Sequence, residues 1–392
     1  MRPQTLGLIV ASTVTALFLA AVAVVAVNEF VPAPAHQAPG QQPQPFAFRF
    51  DAPVAVPDMD IAPEAFAPAQ PIAPADLPNE RGIAVPAKEF VLSGPHTHGN
   101  LAIFLIHGED KLNGQRVITL QEGIEQGLAV VHETRGSQLR VDNRSNATLF
   151  IQAGDIVKGG TQDRTLPFDM LIAANTLNAP LPALCVEQGR SAPRQNEVST
   201  SFSAASEQLP GRTLRLAAHR SAQNDVWANV QKLQQNLART TGGSVQAPLS
   251  QTSLQLSLEH PRVQGAVGDA IANLRDIAGG KNDVIGYAVA VNGVVQSADV
   301  YASNALFEKV WPKLLKASAV DALSQMNPGP HRAPAADSVR AFLADAENGQ
   351  PSRVQGAHRG TTLRFETPTQ LLLETADPAQ ARVVLHRSYL AK

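Results

Sequence analysis

The sequence predicts an α+β domain that a single N-terminal membrane span holds outside the cytoplasm. Three observations support this prediction: a long uncharged apolar run near the N-terminus, a proline-rich segment after it, and a remainder in which strand patterns and helix patterns alternate. The chain has 392 residues, a net charge of −2 and one cysteine. This charge excludes a strongly basic nucleic-acid surface, and a lone cysteine excludes an internal disulfide.

The first predicted element is a transmembrane helix at residues 6–27, preceded by a cytoplasmic N-terminus at residues 1–5. This run carries no charged side chain, and at 1.5 Å per residue it is long enough to cross a hydrocarbon core of about 30 Å. It exceeds the apolar core of a usual signal peptide, which favours an uncleaved anchor. Arg2 precedes the run, whereas Glu29 and Asp51 follow it. This bias predicts a single-pass inner-membrane protein with a periplasmic C-terminal part.

A linker is predicted at residues 28–87. Proline recurs there at about every fourth position, interleaved with alanine and glutamine. Because each proline removes a backbone donor, regular helix or sheet is disfavoured. We therefore expect a disordered, extended spacer between the membrane and the folded part.

The globular domain is predicted at residues 88–325, and its first half is rich in strands. Residues 100–106 form a continuous apolar run, which is typical of a buried strand. Thr119 and Glu122 have the spacing of a capping box and predict a short helix at 120–126. Further strands are predicted at 138–142, 147–157, 161–172 and 182–187. We expect an antiparallel sandwich or a partial barrel.

The second half is predicted to be helical and to contain one β-hairpin. Apolar stripes at 226–237 and 263–277 indicate two amphipathic helices. Asn292 and Gly293 predict a two-residue hairpin turn between strands at 285–291 and 294–300. A third helix begins near residue 306, with a kink or restart expected at Pro312 and with Lys309, Lys313 and Lys316 on its solvated side.

Residues 326–392 are predicted to add a C-terminal helix and strands packed on the same domain. The helix is expected near 338–346, after a proline-rich break. Strands are expected near 361–365, 370–374 and 382–389. These strands are candidates for rejoining the first sheet.

One motif carries a resemblance to a known family. The chain contains Gly154 and Asp155, then Gly-Gly-x-Gln-Asp-Arg at 159–164, Cys-Val-Glu-x-Gly-Arg at 185–190 and Trp-Pro-Lys at 311–313. This pattern resembles the ADP-ribosylglycohydrolase- and rhodanese-phosphatase-superfamily-associated protein domain, over about residues 95–323. The resemblance implies an association with ADP-ribose or phosphate chemistry and assigns no activity.

The same motif supplies the candidate ligand-binding residues. They are Lys158, Gln162, Asp163, Arg164, Asp155, Glu187 and Arg190. In one interpretation, Gly159 and Gly160 form a tight turn with open amides, and the nearby cations bind a small acidic ligand. In the other, Arg164 pairs with Asp155, Asp163 or Glu187 and holds the hairpin on the sheet, because buried arginine is normally paired. The second interpretation is favoured.

Other candidate groups give weaker indications of catalysis or metal binding. Only four residues separate Cys185 from Arg190, one fewer than in a cysteine phosphatase loop, so Cys185 is expected to be an inert buried thiol. His96 and His98 have no third metal ligand nearby in sequence, and we expect no metal and no cofactor. Asp299 is expected to be a solvated carboxylate at a strand edge.

Three classes of function remain compatible with the sequence. The leading one is a membrane-anchored extracytoplasmic module that binds a protein partner or a small acidic ligand. The alternatives are a hydrolase acting on a nucleotide-like or phosphorylated substrate and a structural component of the cell envelope. The expected contacts are the membrane, through residues 6–27, and no nucleic acid.

Overall fold

The computed structural model describes residues 70–71, 86–195, 197, 201–354, 360–377 and 383–392. The predicted span at 6–27 and nearly all of the predicted linker lie outside these residues. Within the described part, none of the helices has the length and apolar character needed to span a membrane. This part is α+β, with mostly antiparallel sheets, as the sequence predicts.

A nine-stranded antiparallel sheet contains strands from both ends of the described chain. Its order is β1-β16-β17-β18-β19-β15-β14-β3-β2. The strands are β1 (Gln70–Pro71), β2 (Val91–His98), β3 (Leu101–His107), β14 (Val284–Val291), β15 (Val294–Tyr301), β16 (Gln350–Val354), β17 (Thr361–Glu366), β18 (Gln370–Asp377) and β19 (Val383–Ala391). The C-terminal strands therefore share a sheet with β3. Asn292 and Gly293 both have positive φ and connect β14 to β15 as expected.

Three smaller sheets form the rest of the β structure. Their orders are β10-β7-β4, β11-β6-β5 and β12-β9-β8-β13. The strands are β4 (Val117–Thr119), β5 (Ala129–Glu133), β6 (Leu139–Asn143), β7 (Thr148–Ile151), β8 (Asp155–Gly159), β9 (Arg164–Thr165), β10 (Met170–Ile172), β11 (Thr176–Leu181), β12 (Leu184–Cys185) and β13 (Phe202–Gln208). The predicted strands 147–157 and 161–172 are each two strands, because turns at Gly154 and before Met170 interrupt them.

Seven α-helices occur in the described residues. They are α1 (Leu120–Glu125), α2 (Gly211–His219), α3 (Gln223–Thr241), α4 (Leu254–Leu258), α5 (Pro261–Leu274), α6 (Asn304–Ser324) and α7 (Ala336–Glu347). Thr119 and Glu122 form the predicted capping box at the start of α1. The predicted restart at Pro312 is wrong, since α6 runs without interruption through this residue, and the predicted kink stays a prediction. Its lost backbone donor is tolerated because α6 is buried along most of its length.

Apolar side chains cover both faces of the nine-stranded sheet. Along β14, Tyr287 and Val289 pack toward the cluster that contains α6. Ala288 and Ala290 point to the other face, where α7 packs. The alternation of a strand therefore divides one run of buried residues between two cores.

Candidate functional site

The signature hairpin, residues 154–165, consists of β8, a tight turn and β9. Ile156 pairs with Thr165, and Val157 pairs with Arg164. Gly160 has a φ of +54°, and a Cβ on it would lie 2.4 Å from the Phe202 ring. Glycine is therefore required in this turn, both for the backbone angle and for the close contact with β13.

Arg164 is buried in an ion pair. Its side chain is 3% exposed, and its Nη2 atom lies 3.3 Å from Oε1 of Glu133. Nη1 donates a hydrogen bond to the carbonyl oxygen of Gln162 at 3.0 Å. The partner expected from sequence was Asp155, Asp163 or Glu187. The structure corrects this to Glu133, which lies on β5, a strand that the sequence patterns did not predict.

Thr161 completes the surroundings of Glu133. Its backbone N–H donates to Oε2 of Glu133 at 2.9 Å, and its hydroxyl donates to Oε1 at 2.6 Å. Gly159 likewise donates its N–H to Oδ1 of Asp163 at 3.1 Å. The expectation that the turn presents open amides is wrong for these two groups, because carboxylates of the chain itself accept their hydrogen bonds.

Asp163 lies in a second buried cluster, in which Arg194 is its main partner. The carboxylate of Asp163 is 0% exposed and accepts hydrogen bonds from Arg194 Nη2 at 2.5 Å and Nη1 at 2.9 Å. Ser253 donates its hydroxyl to the same carboxylate at 2.9 Å. Such a bidentate, buried pair is among the stronger polar contacts in proteins.

Glu187 and Arg190 join this second cluster. Oε2 of Glu187 accepts the backbone N–H of Asp163 at 3.0 Å, and Oε1 accepts Nε of Arg190 at 2.8 Å. Arg190 also donates to the carbonyl oxygen of Gly160 at 2.8 Å. Burial alone would raise the pKa of Glu187, but the hydrogen bonds from Arg190 and from the Asp163 backbone lower it below its usual value. The carboxylate is therefore ionised at neutral pH.

The remaining candidates contact other elements. Asp155 is buried and forms an ion pair with Lys313 of α6, while its Oδ2 accepts the N–H of Gln152 at 2.9 Å. Lys313 was expected on the solvated side of α6, and this is wrong because its side chain is buried and its ammonium contacts Asp155 of β8. Lys158, which is partly exposed, donates to Glu259 at 2.7 Å. The seven predicted residues thus occupy four sets of contacts.

A third buried cluster, not recognised from the sequence, lies on the α2 side of the large sheet. Arg215 of α2 donates to both carboxylate oxygens of Asp299, at 2.6 and 3.1 Å. His386 lies between two carboxylates, with Nδ1 2.7 Å from Asp169 and Nε2 3.2 Å from Asp299. Asp299 is 0% exposed, so its predicted solvated position is wrong. The reason is that β15 lies inside the sheet, between β14 and β19.

Electrostatics keep this third cluster charged. Burial disfavours the charged imidazole, yet Asp169 and Asp299 outweigh it and raise the pKa of His386 to about 9. Arg215 and His386 likewise hold the pKa of Asp299 well below its usual range, against the effect of burial. Two cations therefore balance two carboxylates, and the cluster joins β15, β19, α2 and the segment before β10.

The cavity beside this cluster is small. It has a volume of about 20 Å³ and lies between α2 and α6, next to Arg215 and Asp321. A volume of this size holds about one water molecule. Burial raises the pKa of Asp321 to about 6, and this carboxylate lies against Gly211 at the start of α2. The cavity is too small for a nucleotide-like substrate.

The buried thiol is not in an arrangement suited to catalysis, whereas one histidine contacts both a hydroxyl and a carboxylate: Nε2 of His107 lies 2.7 Å from Oγ of Ser93, and Nδ1 lies 3.0 Å from Oδ2 of Asp283. Cys185 is free and buried, and burial raises the pKa of its thiol, so the thiolate is disfavoured. His98 contacts Asn273 at 3.0 Å, and no group of three or more potential metal ligands is found among the described residues.

These features define a class: an α+β domain whose signature residues lie in buried ion pairs. A family model described as the ARG and Rhodanese-Phosphatase-superfamily-associated Protein domain matches residues 89–390, and the chain belongs to this family. The match extends beyond the expected 95–323 and includes the C-terminal strands, which complete the large sheet. No curated protein and no solved structure matches the chain.

Proposed function

We propose that the chain is a membrane-anchored, extracytoplasmic module that acts by contacting a protein partner and not by hydrolysis at its signature hairpin. The observation that supports this is the state of the signature hairpin. Arg164, Asp163 and Glu187 are each buried and paired with groups of the chain itself. A hydrolase acting at the hairpin needs an acid or base open to a substrate, and a pocket for that substrate.

A small acidic ligand at the hairpin is less well supported than a protein partner. Such a ligand would have to replace Glu133 at Arg164 and Glu259 at Lys158. Replacing Glu133 would leave its carboxylate buried without a cation, at a cost of several kcal/mol. We therefore place the proposed contacts on the outer surface of the domain and not in the hairpin.

A structural envelope component is the second candidate. The same observation favours it, because a purely architectural domain is expected to have its polar residues buried and paired. The two candidates differ in whether a partner binds specifically. Both require the extracytoplasmic location that residues 6–27 predict.

The location is tested by labelling from outside. Val294 is 60% exposed on the hairpin between β14 and β15, and the native Cys185 is buried. In intact cells with a permeabilised outer layer, a Val294→Cys variant is expected to react with a membrane-impermeant maleimide. The unaltered chain is the control for background reaction. Labelling that requires disruption of the inner membrane would overturn the proposed location.

The absence of hydrolysis at the hairpin is tested separately. The full chain in detergent is expected to release no product from ADP-ribosylated peptides or phosphate monoesters. Turnover that is abolished by Asp163→Asn while the variant stays folded would overturn the proposal in favour of a hydrolase.

A further inference from the structure

Two strands at one end of the large sheet bring a serine and a histidine together. Ser93 of β2 pairs with Leu105 of β3, and His107 follows two positions further along β3. Residues that lie diagonally across an antiparallel pair point to the same face of the sheet, within reach of long side chains. Oγ of Ser93 accordingly lies 2.7 Å from Nε2 of His107.

The other nitrogen of the same imidazole contacts a carboxylate. Val284, the first residue of β14, pairs with His107, so Asp283 lies beside the imidazole. The backbone N–H of Gly108 donates to the carbonyl oxygen of Asp283 at 2.8 Å and holds this position. Oδ2 of Asp283 lies 3.0 Å from Nδ1 of His107. The two imidazole nitrogens therefore contact a hydroxyl and a carboxylate in the same way as in a catalytic triad.

A neutral imidazole with its proton on Nδ1 satisfies both contacts. It donates to Asp283 and accepts the hydroxyl hydrogen of Ser93 at Nε2. Nε2 is then the basic nitrogen. The carboxylate of Asp283 stabilises the positive charge that the imidazole acquires when it takes a proton from Ser93.

The surroundings of these side chains leave room for a substrate. The side chain of His107 is 16% exposed and Ser93 is half-buried, so neither is enclosed in the core. Val91 pairs with His107 and is 63% exposed, which provides an apolar surface for a short acyl chain. Within the described part of the chain, β2 is the outermost strand of its sheet, so backbone N–H groups on its free side can donate to a carbonyl oxygen.

We propose that Ser93, His107 and Asp283 form a site for the hydrolysis of carboxylic esters that have a short apolar acyl group, with Ser93 as the nucleophile. The site uses different strands from the signature hairpin, and the proposal does not rest on the proposed function.

The reaction needs no group beyond these side chains and water. Oγ of Ser93 attacks the ester carbonyl carbon while Nε2 of His107 takes the hydroxyl proton. The bond from this carbon to the alkoxy oxygen breaks, and His107 gives the proton to the departing oxygen, which releases an alcohol and leaves Ser93 acylated. Water then attacks the acyl carbon and gives a proton to His107. This proton passes to Oγ of Ser93 as the carboxylic acid leaves.

A fluorophosphonate probe and p-nitrophenyl butyrate test the proposal on the full chain in detergent. The probe modifies serines that a base activates, and peptide mass spectrometry identifies the modified residue. We expect modification of Ser93 and hydrolysis of the ester above the rate in buffer. The Ser93→Ala variant should lose both. The His107→Gln variant should slow both by at least about 100-fold, because it lacks the general base.

Ser203→Ala is the matched control. Ser203 is an exposed serine of β13, which is also the outermost strand of its sheet, and its hydroxyl donates to the carbonyl oxygen of Lys158. Because this hydroxyl donates to a backbone group and not to an imidazole, the variant should keep both modification and hydrolysis unchanged.

Asp283 is a positioning residue, because it acts through His107. Its side chain is 64% exposed, so solvent screens its charge. Asp283→Asn should therefore lower kcat by only about tenfold, with KM unchanged, and Asp283→Glu should restore most of kcat. A general loss of structure would not lower kcat alone.

Fluorescence of Trp227 and Trp311 reports whether each variant is folded. Modification of Ser93, together with hydrolysis that Ser93→Ala abolishes, supports the proposal. A folded, unaltered chain in which Ser93 stays unmodified overturns it without the use of any variant. Hydrolysis that persists in Ser93→Ala, or modification without hydrolysis, overturns the assignment of Ser93 as a hydrolytic nucleophile. None of these results bears on the hairpin or on the location of the domain.

Discussion

Arg164 provides the most informative perturbation, because its charge faces a buried carboxylate. Replacing it with glutamine keeps most of the length and some hydrogen-bonding capacity but removes the charge. Glu133, whose side chain is 6% exposed, then lies buried without a cation. Breaking a buried pair in this way typically costs about 3–5 kcal/mol. Thr161 still donates two hydrogen bonds to Glu133, so we expect a value near the lower limit, about 3 kcal/mol.

The assay is denaturant unfolding of the full chain in mild detergent. Both tryptophans, Trp227 and Trp311, lie in helices of the domain, so their fluorescence follows domain unfolding alone. The Arg164→Gln variant is expected to unfold at lower denaturant with an unchanged slope. Lys158→Gln is the matched control, because it removes a partly exposed pair with Glu259, and it should cost less than about 1 kcal/mol.

A double variant tests whether the unpaired Glu133 carboxylate causes the loss of stability. Adding Glu133→Gln to Arg164→Gln removes the uncompensated carboxylate, so the pair of substitutions should cost less than the sum of the two single ones. An unchanged unfolding midpoint for Arg164→Gln alone would refute the reasoning, and it would make the hairpin the leading ligand site.

Three further predictions follow from burial and charge. His386 has a folded pKa of about 9, above its unfolded value, so its contribution to stability is complete below about pH 6.5 and is lost as pH rises through 9. The denaturant concentration at the unfolding midpoint should therefore fall between pH 7 and pH 9.5. The His386→Gln variant should show a weaker dependence of this midpoint on pH. Cys185 should react with a thiol reagent only at the rate of unfolding, and rapid stoichiometric reaction of the native chain would contradict its burial. A chain without residues 1–85 should be soluble and unfold in one sharp transition, since the turn Ala87–Glu89 remains and Ala87 keeps its hydrogen bond to Glu347. A broad transition would show that the preceding residues stabilise the fold.

The sequence predicts elements best where a local signal is strong. The capping box at Thr119, the Asn292 and Gly293 turn, and the stripe of α3 each depend on neighbouring residues, and each is present. The strand β13 was missed because its buried positions alternate irregularly and its polar content is high, whereas β5 is short and its alternation of buried and half-buried positions was not recognised. The pairing of β13 with β8 joins residues that are far apart in sequence, so a local pattern does not decide it.

The ion pairs of the candidate site also depend on partners that are distant in sequence, and local patterns do not identify these partners. The sequence indicated that Arg164 is paired, but its partner Glu133 lies 31 residues away, on the strand β5, which the sequence patterns did not predict. His386 and Asp169 are 217 residues apart and meet only because β19 joins the middle of the large sheet. The sequence analysis placed Lys313 on the solvated side because a helical repeat of apolar residues identifies one buried face. The helix α6 is buried on more than one face.

Hydrogen exchange at the signature hairpin tests the central claim most directly. Amides of residues 155–165 are measured in the full chain, with and without ADP-ribose or inorganic phosphate. The buried ion pairs of Arg164 and Asp163 predict slow exchange, close to that of global unfolding, and no change on adding either compound. Rapid exchange that either compound slows would contradict the account, because it would show an open hairpin that closes on a ligand.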